Sequence, residues 1–314
     1  MVGISYDKVR IGIALGGWPF PEPDPQLLWD YTERMESLDV DSIWFTDRIV
    51  SPAFTLETVV AMSFIASRTT KLKFGTSVIA LPLRNPTILA KELATIDFLS
   101  NGRCLPAVGL GTEDEIEYEA CGTEKRVRVS RTEEAVHIMR RLWSEDSVTH
   151  RGKHCSLTNV TVQPKPVQKS LPPIWFGGRS EPALRRTAKI GDGWLVSQAT
   201  PEEAGVGVKK IKSMASEFGN DIEDDHYGAI FSYCFADSQG EAEALATPYL
   251  LRRRDDINPN EMNAFGRPED LISMLDRYIS SGVTKFALRP ACPPEMTQQQ
   301  MEILGKDVIP RYHN

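Results

Sequence analysis

The sequence predicts a protein of the α/β class. One (β/α)8 barrel, the TIM barrel, runs through residues 1–314 as a single domain, with an insertion after the fourth strand. Three observations lead there. Short runs rich in β-branched and aromatic residues alternate with longer stretches of helical periodicity. The alternation recurs eight times without a domain-length linker, and right-handed crossovers then favour a closed parallel barrel over the rival open, doubly wound sheet. The length of 314 residues suits a barrel with an insertion, since about 250 residues is typical.

The first strand is Val9 to Leu15, stopped by Gly16-Gly17. Leu27, Leu28, Tyr31, Met35 and Leu38 then fall at helical spacing, with Asp24 as N-cap and Pro25 at the first helical position. Strand two covers Ser42 to Thr46, and a helix covers Leu56 to Ser67. Strand three is Leu72 to Ile79. A helix from Pro86 to Leu99 ends at the Asn101-Gly102 turn signal. Strand four, Cys104 to Val108, runs into Gly109-Leu110-Gly111. The beat then lengthens. Glu113 to Cys121 and Arg131 to Trp143 read as helices, and Val148 to Val162 reads as an inserted β-hairpin turning at Arg151-Gly152-Lys153. Pro164, Pro166, Pro172 and Pro173 make the next stretch too rigid for a regular element. Ile174 to Phe176, Gly193 to Ser197, Gly228 to Phe235 and Val283 to Leu288 complete the eight strands. Helices are predicted over Glu181 to Ile190, Glu202 to Phe218, Gln239 to Arg253 and Glu269 to Ser281.

Composition narrows the function classes. Apolar residues are 41% and charged residues 25%, a usual globular balance. The formal charge of −7 argues against a nucleic-acid surface, and no Lys/Arg run suggests one locally. No apolar run approaches the ~18 residues of a membrane span. Met1 to Asp7 lacks the basic and apolar regions of a secretion signal. The five cysteines include no C-x-x-C pair, and Cys104 and Cys234 sit in apolar strand-like runs, so buried thiols in a reducing cytoplasm are expected. His137, His150, His154, His226 and His313 form no H-E-x-x-H, and no metal site is expected. No G-x-S-x-G elbow points to a serine hydrolase.

In such a barrel the site lies at the C-terminal ends of the strands. Those ends offer Gly16, Gly17 and Trp18; Asp47 and Arg48; Ser77 and Val78; Gly109, Gly111, Thr112 and Glu113; Gly177, Gly178, Arg179 and Ser180; Ser197 and Gln198; and Arg289. Gly177-Gly178-Arg179-Ser180 lies between a strand and a helix. Its glycines let backbone N–H groups approach an anion at a helix N-terminus, which is a phosphate site. A tight turn that merely needs positive φ is the alternative.

Several of these runs, taken in order, resemble the luciferase-like monooxygenase family. They are Phe74 to Val78, Leu81-Pro82-Leu83-Arg84-Asn85-Pro86, Ala90 to Asp97, Leu99 to Arg103, Val108 to Gly111, Pro164-Lys165-Pro166, Pro173 to Gly178, Gly191-Asp192-Gly193-Trp194 and Gly266 to Asp270. The nearer branch is the oxidoreductases that use the deazaflavin coenzyme F420; FMN-dependent monooxygenases are the other. The resemblance implies a reduced-flavin-type ring at the strand C-termini. Gly177 and Gly178 would hold its phosphate, with Arg179 and Ser180 beside them. Gly109, Gly111 and Thr112 would let a loop approach it, and Asp47 would lie near ring and substrate. It also implies a non-prolyl cis peptide at Ser77–Val78, backing the ring.

The chain departs from the family at Arg48, where many deazaflavin members have histidine. Arginine stays protonated and cannot serve as a base near neutral pH, so anion binding is its expected task. The structural alternative is an ion pair with Asp47 or Glu113. Thr112 stands where a sugar-phosphate dehydrogenase branch has a carboxylate, which weakens that substrate. The expected activity is hydride transfer between F420 and a small organic substrate. The alternatives are an FMN-dependent monooxygenase, a barrel that binds cofactor without catalysis, and an unrelated barrel lyase or isomerase. A homodimer is left open.

Overall fold

Eight parallel strand positions close into a ring in the computed structural model, which describes residues 9–169, 171–250 and 254–312. β1 (Arg10–Leu15) pairs with β2 (Ser42–Phe45), and β2 with β3 (Lys73–Thr76). The third position breaks at residues 77–78 and resumes as β4 (Ile79–Ala80). The fourth is split at Pro106, which has no N–H to give a ladder, into β5 (Cys104–Leu105) and β6 (Ala107–Gly109). The inserted hairpin, β7 (Val148–Arg151) and β8 (Ser156–Val160), is antiparallel and stands apart from the ring. The ring continues through β9 (Trp175–Gly177), β10 (Gly193–Ser197) and β11 (Tyr227–Phe235). A short β12 (Ala264–Gly266) adds to the C-terminal half of β11, and β13 (Lys285–Pro290) pairs with both β11 and β1 to close the barrel.

The helices follow the predicted beat. They are α1 (Pro25–Ser37), α2 (Thr58–Arg68), α3 (Pro86–Leu99), α4 (Glu115–Ala120), α5 (Arg128–Ser144), α6 (Glu181–Ile190), α7 (Pro201–Phe218), α8 (Gln239–Ala246), α9 (Pro268–Ser280) and α10 (Thr297–Ile303). The Asp24 cap is present, its carboxylate accepting from the Gln26 amide at 2.9 Å. The helix predicted to reach Arg253 stops instead at Ala246, with a 3-10 turn over Thr247–Tyr249. Pro248 cannot donate to the preceding turn. Arg253, His313 and the Met1–Asp7 segment lie outside the described residues. β12 and α10 were not predicted: three residues show no alternation, and Thr-Gln-Gln-Gln-Met-Glu-Ile shows little apolar stripe. Among the described residues no helix is long and apolar enough to cross a membrane.

The barrel interior is filled by pairing large with small. Trp44 and Trp175 are buried there with Ala14, Ala107, Leu195 and Ala287. A Cβ on Gly75 would lie 2.8 Å from the Trp44 ring, and one on Gly193 would lie 2.5 Å from Trp175, so these strands are bare where the indoles reach across. At the N-terminal floor, buried Lys285 pairs with Asp41, which Lys73 Nζ also meets at 3.0 Å. Burial alone would push the Asp41 carboxyl up, but Lys285 and Lys73 hold it well below the usual carboxylate range. The thiols of Cys104 and Cys234 are buried as predicted, and burial pushes Cys234 up to about 12.

Candidate active site

The bulge in the third strand is the centre of the site. The Ser77–Val78 peptide is cis. Its immediate continuation is clamped by Asp47, which is buried at the end of β2. Asp47 Oδ2 accepts from the Ala80 amide at 2.9 Å, and Oδ1 accepts from the Thr58 hydroxyl at 2.9 Å. Arg84 Nη2 donates to Oδ1 at 2.6 Å and also meets Glu57 at 2.7 Å. The carboxylate is thus engaged with three partners and fixes the bulge from behind.

Val78 points between two of the predicted glycines. A Cβ on Gly109 would stand 2.6 Å from Val78 Cγ2, and one on Gly177 would stand 3.3 Å from Cγ1. These glycines clear space for Val78, which makes an apolar step across the third, fourth and fifth strand ends. Next to Gly177, Gly178 has φ +102°, and α6 begins after the N-cap Ser180, whose hydroxyl makes no capping bond. Gly178, Arg179 and Ser180 are exposed. A left-handed glycine ahead of a helix start, with an uncommitted hydroxyl beside it, is an arrangement into which a phosphate fits.

The second cluster lies on the β2 and β6 side. Glu117 of α4 is fully buried. Its Oε1 accepts from the Ile49 and Val50 amides at 2.8 and 3.2 Å, and its Oε2 accepts from the Thr112 hydroxyl at 3.1 Å. Arg48 Nε lies 3.4 Å from Glu117 Oε1, and Nη2 donates to the Val50 carbonyl at 3.0 Å. The structural alternative for Arg48 was an ion pair with Asp47 or Glu113. That pairing is corrected here, because Asp47 is turned toward Arg84 and Glu113 is exposed and pairs with Arg128 and Lys125. Gly111, with φ +81°, leaves room for the Tyr118 hydroxyl, 2.8 Å from where its Cβ would be; that hydroxyl donates to the Leu110 carbonyl.

Of the predicted residues, the structure brings Val78, Gly109 and Gly177 into one group, with Gly178, Arg179 and Ser180 adjoining, and Arg48 and Thr112 into another around Glu117. Arg84, Thr58 and Glu117 were not singled out from sequence. Arg84 sits within the Leu81 to Pro86 run, a signal that was available; Glu117 lies in an unremarkable acidic helix and had none. His150 and His154 do not meet in a metal site. His150 Nε2 lies 3.2 Å from Glu134, and His154 Nε2 lies 2.8 Å from Ser130, where they dock the hairpin on α5. One trio of potential metal ligands converges among the described residues: Glu223, Asp225 and His226, in the turn before β11 at the opposite end of the barrel.

Comparison with known proteins agrees with this architecture. Residues 10–283 match the family model of the luciferase-like monooxygenases. The chain is 28% identical to an F420-dependent glucose-6-phosphate dehydrogenase of Amycolatopsis mediterranei, over 91% of this chain and 94% of that one. It is 30% identical to the enzyme of the same name from Kineococcus radiotolerans over 62% of this chain, a match that spans 58% of that relative. Among solved structures, the monooxygenase RslO1 from Streptomyces bottropensis superposes with a TM-score of 0.81 at 19% identity, over 96% of this chain and 99% of that one. With a matching model along most of its length and the barrel in place, this chain belongs to the luciferase-like monooxygenase family.

Proposed function

We propose that this protein is an F420-dependent oxidoreductase that transfers a hydride between the deazaflavin and a small organic substrate. The observation that carries the reading is the Val78 step between Gly109 and Gly177, set beside the Gly178–Ser180 helix start. An apolar step adjoins a place for a phosphate, the pairing that a ring-plus-phosphate coenzyme requires. The likeness to F420-dependent relatives along 91% of the chain favours the deazaflavin over FMN. When bound, the deazaflavin supplies the carbon that accepts or donates the hydride.

The chain's own residues then have distinct tasks. Gly178, Arg179 and Ser180 hold the phosphate end, and Gly177 leaves Val78 its room beside them. Ser77 and Val78 back the ring, while Gly109, Gly111 and Thr112 shape the loop that approaches it. Asp47, committed to Thr58, Ala80 and Arg84, is a positioning residue for the bulge and not a proton carrier. Arg48 orients the substrate or an anionic group of the coenzyme through hydrogen bonds, its charge sustained by Glu117. Arg48→Lys keeps charge but loses the planar fork, so it should raise KM more than it lowers kcat. A fall in melting temperature with KM unchanged would instead make Arg48 a fold residue.

Equilibrium titration of the purified protein with F420 and with FMN tests the coenzyme. Tighter binding of F420, weakened in Gly178→Val, is expected; tighter FMN binding with FMN-supported turnover would reverse the choice. Self-association as a homodimer would cover Val60, Ile88 and Leu99, exposed on α2 and α3, and light scattering decides it. A reducing, cytoplasmic setting suits the buried thiols.

A further inference from the structure

The loops that follow the first two strands are fastened together by an aromatic pair at the barrel mouth. Trp18 and Phe54 stack with centroids 5.1 Å apart and planes 11° from parallel. The Trp18 amide donates to the Phe54 carbonyl at 2.8 Å, and the indole N–H donates to the Glu22 carbonyl at 2.6 Å. Buried Phe20 meets Trp18 edge-on at 5.3 Å, and Tyr31 backs Phe20 at 5.4 Å. From α10, the Thr297 hydroxyl donates to the Pro19 carbonyl at 2.7 Å. The indole is therefore held by its backbone, its N–H and its edge-on neighbour.

Phe54, by contrast, is 52% exposed. A half-exposed ring, aligned by a fixed indole, is a preorganised apolar surface and not a filled piece of core. Beneath Trp18 lie Leu15, Leu28, Phe45 and Leu56, with Thr46 and Thr55 among them; the Arg289 guanidinium lies against Gly16, and Ile49 projects from the same loop as Phe54. Both N–H groups of Trp18 are consumed by carbonyls of its own loops. The Trp18–Phe54 pair itself therefore presents ring faces and no free N–H, and the hydroxyls of Thr46 and Thr55 stand to one side of it.

We infer that Trp18 and Phe54 form a substrate-binding wall, and that the substrate is a flat, apolar, ring-bearing molecule that stacks on Phe54, in place of the sugar phosphate of the curated relatives. This deepens the proposed function and rests on the barrel mouth being the redox site. Removing the ring together with the apolar area it covers should weaken binding about tenfold or more.

The test is calorimetric titration of the full chain, with and without F420, using 2-naphthol, cyclohexanol and glucose 6-phosphate as probes. 2-Naphthol should bind at least tenfold more tightly than either of the others. Phe54→Ala should weaken it about tenfold, Phe54→Leu should recover part of that, and Phe54→Trp should restore it, all with F420 affinity unchanged. Phe54→Leu keeps apolar volume, so it stays informative where Phe54→Ala fails to fold. Equal 2-naphthol affinity in wild type and folded Phe54→Leu and Phe54→Ala overturns the wall, as does tighter binding of glucose 6-phosphate. Were F420 and FMN both to fail to bind while 2-naphthol affinity still tracked position 54, the coenzyme reading would fall and the wall would stand.

Discussion

Replacement of Asp47 separates a positioning carboxylate from a catalytic one. The side chain is fully buried and accepts from the Ala80 amide, the Thr58 hydroxyl and Arg84. In Asp47→Asn one oxygen still serves Ala80, and the Thr58 hydroxyl can turn to accept from the new amide. Arg84 cannot adapt, because a guanidinium only donates. It keeps Glu57, a partly exposed partner. The loss is one charged hydrogen bond, about 1.5–3 kcal/mol. Asp47→Ala removes all three hydrogen-bonded partnerships and leaves Arg84 without its buried carboxylate, so about 3–5 kcal/mol is expected. Urea unfolding gives the stabilities, and coenzyme titration of the folded fraction gives the affinity. Coenzyme binding should weaken in step with stability as the bulge relaxes. If Asp47→Asn abolished turnover while stability and coenzyme affinity matched wild type, Asp47 would be acting on the reaction itself and the positioning argument would be refuted.

Two further outcomes follow from the same structure. Gly109→Ala drives a methyl to 2.6 Å from Val78, whereas Gly177→Ala stops at 3.3 Å, so the first should cost about 1–3 kcal/mol and weaken coenzyme binding far more than the second; equal effects would show that Val78 does not set the step. Asp41→Asn, read by stability from pH 7 down to pH 2, should be destabilising by about 3–5 kcal/mol at neutral pH, because Lys285 loses its buried partner. The Asp41 carboxyl is depressed in the folded state, so its contribution is present above the unfolded value of about 3.9 and is lost as pH falls below it toward the folded value. The gap between wild type and variant should narrow in acid, and a gap independent of pH would contradict this.

The barrel was legible because its information is local. Eight short apolar runs, most of them followed by Gly or by a capped helix start, specify strand and helix with little help from distant residues, and parallel strands of that number have few ways to close. The Ser77–Val78 bulge and the Gly177-Gly178 turn were legible through family resemblance, since their residue types recur in order. What depended on the fold was which groups face each other. Arg48 and Glu117 are 69 positions apart, and nothing in either local pattern marks them as a pair; the approach of α4 to the loop after β2 makes them one. Gly109 and Gly177 read as room for a cofactor, yet the room they leave is taken by Val78 from a third strand. Asp47 read as a group facing the substrate, and Arg84 and Thr58 turn it into a brace. Periodicity and turn chemistry reside in neighbouring residues and are written along the chain. Hydrogen-bond partnership and steric clearance reside in the space between strands, and only the closed barrel decides them.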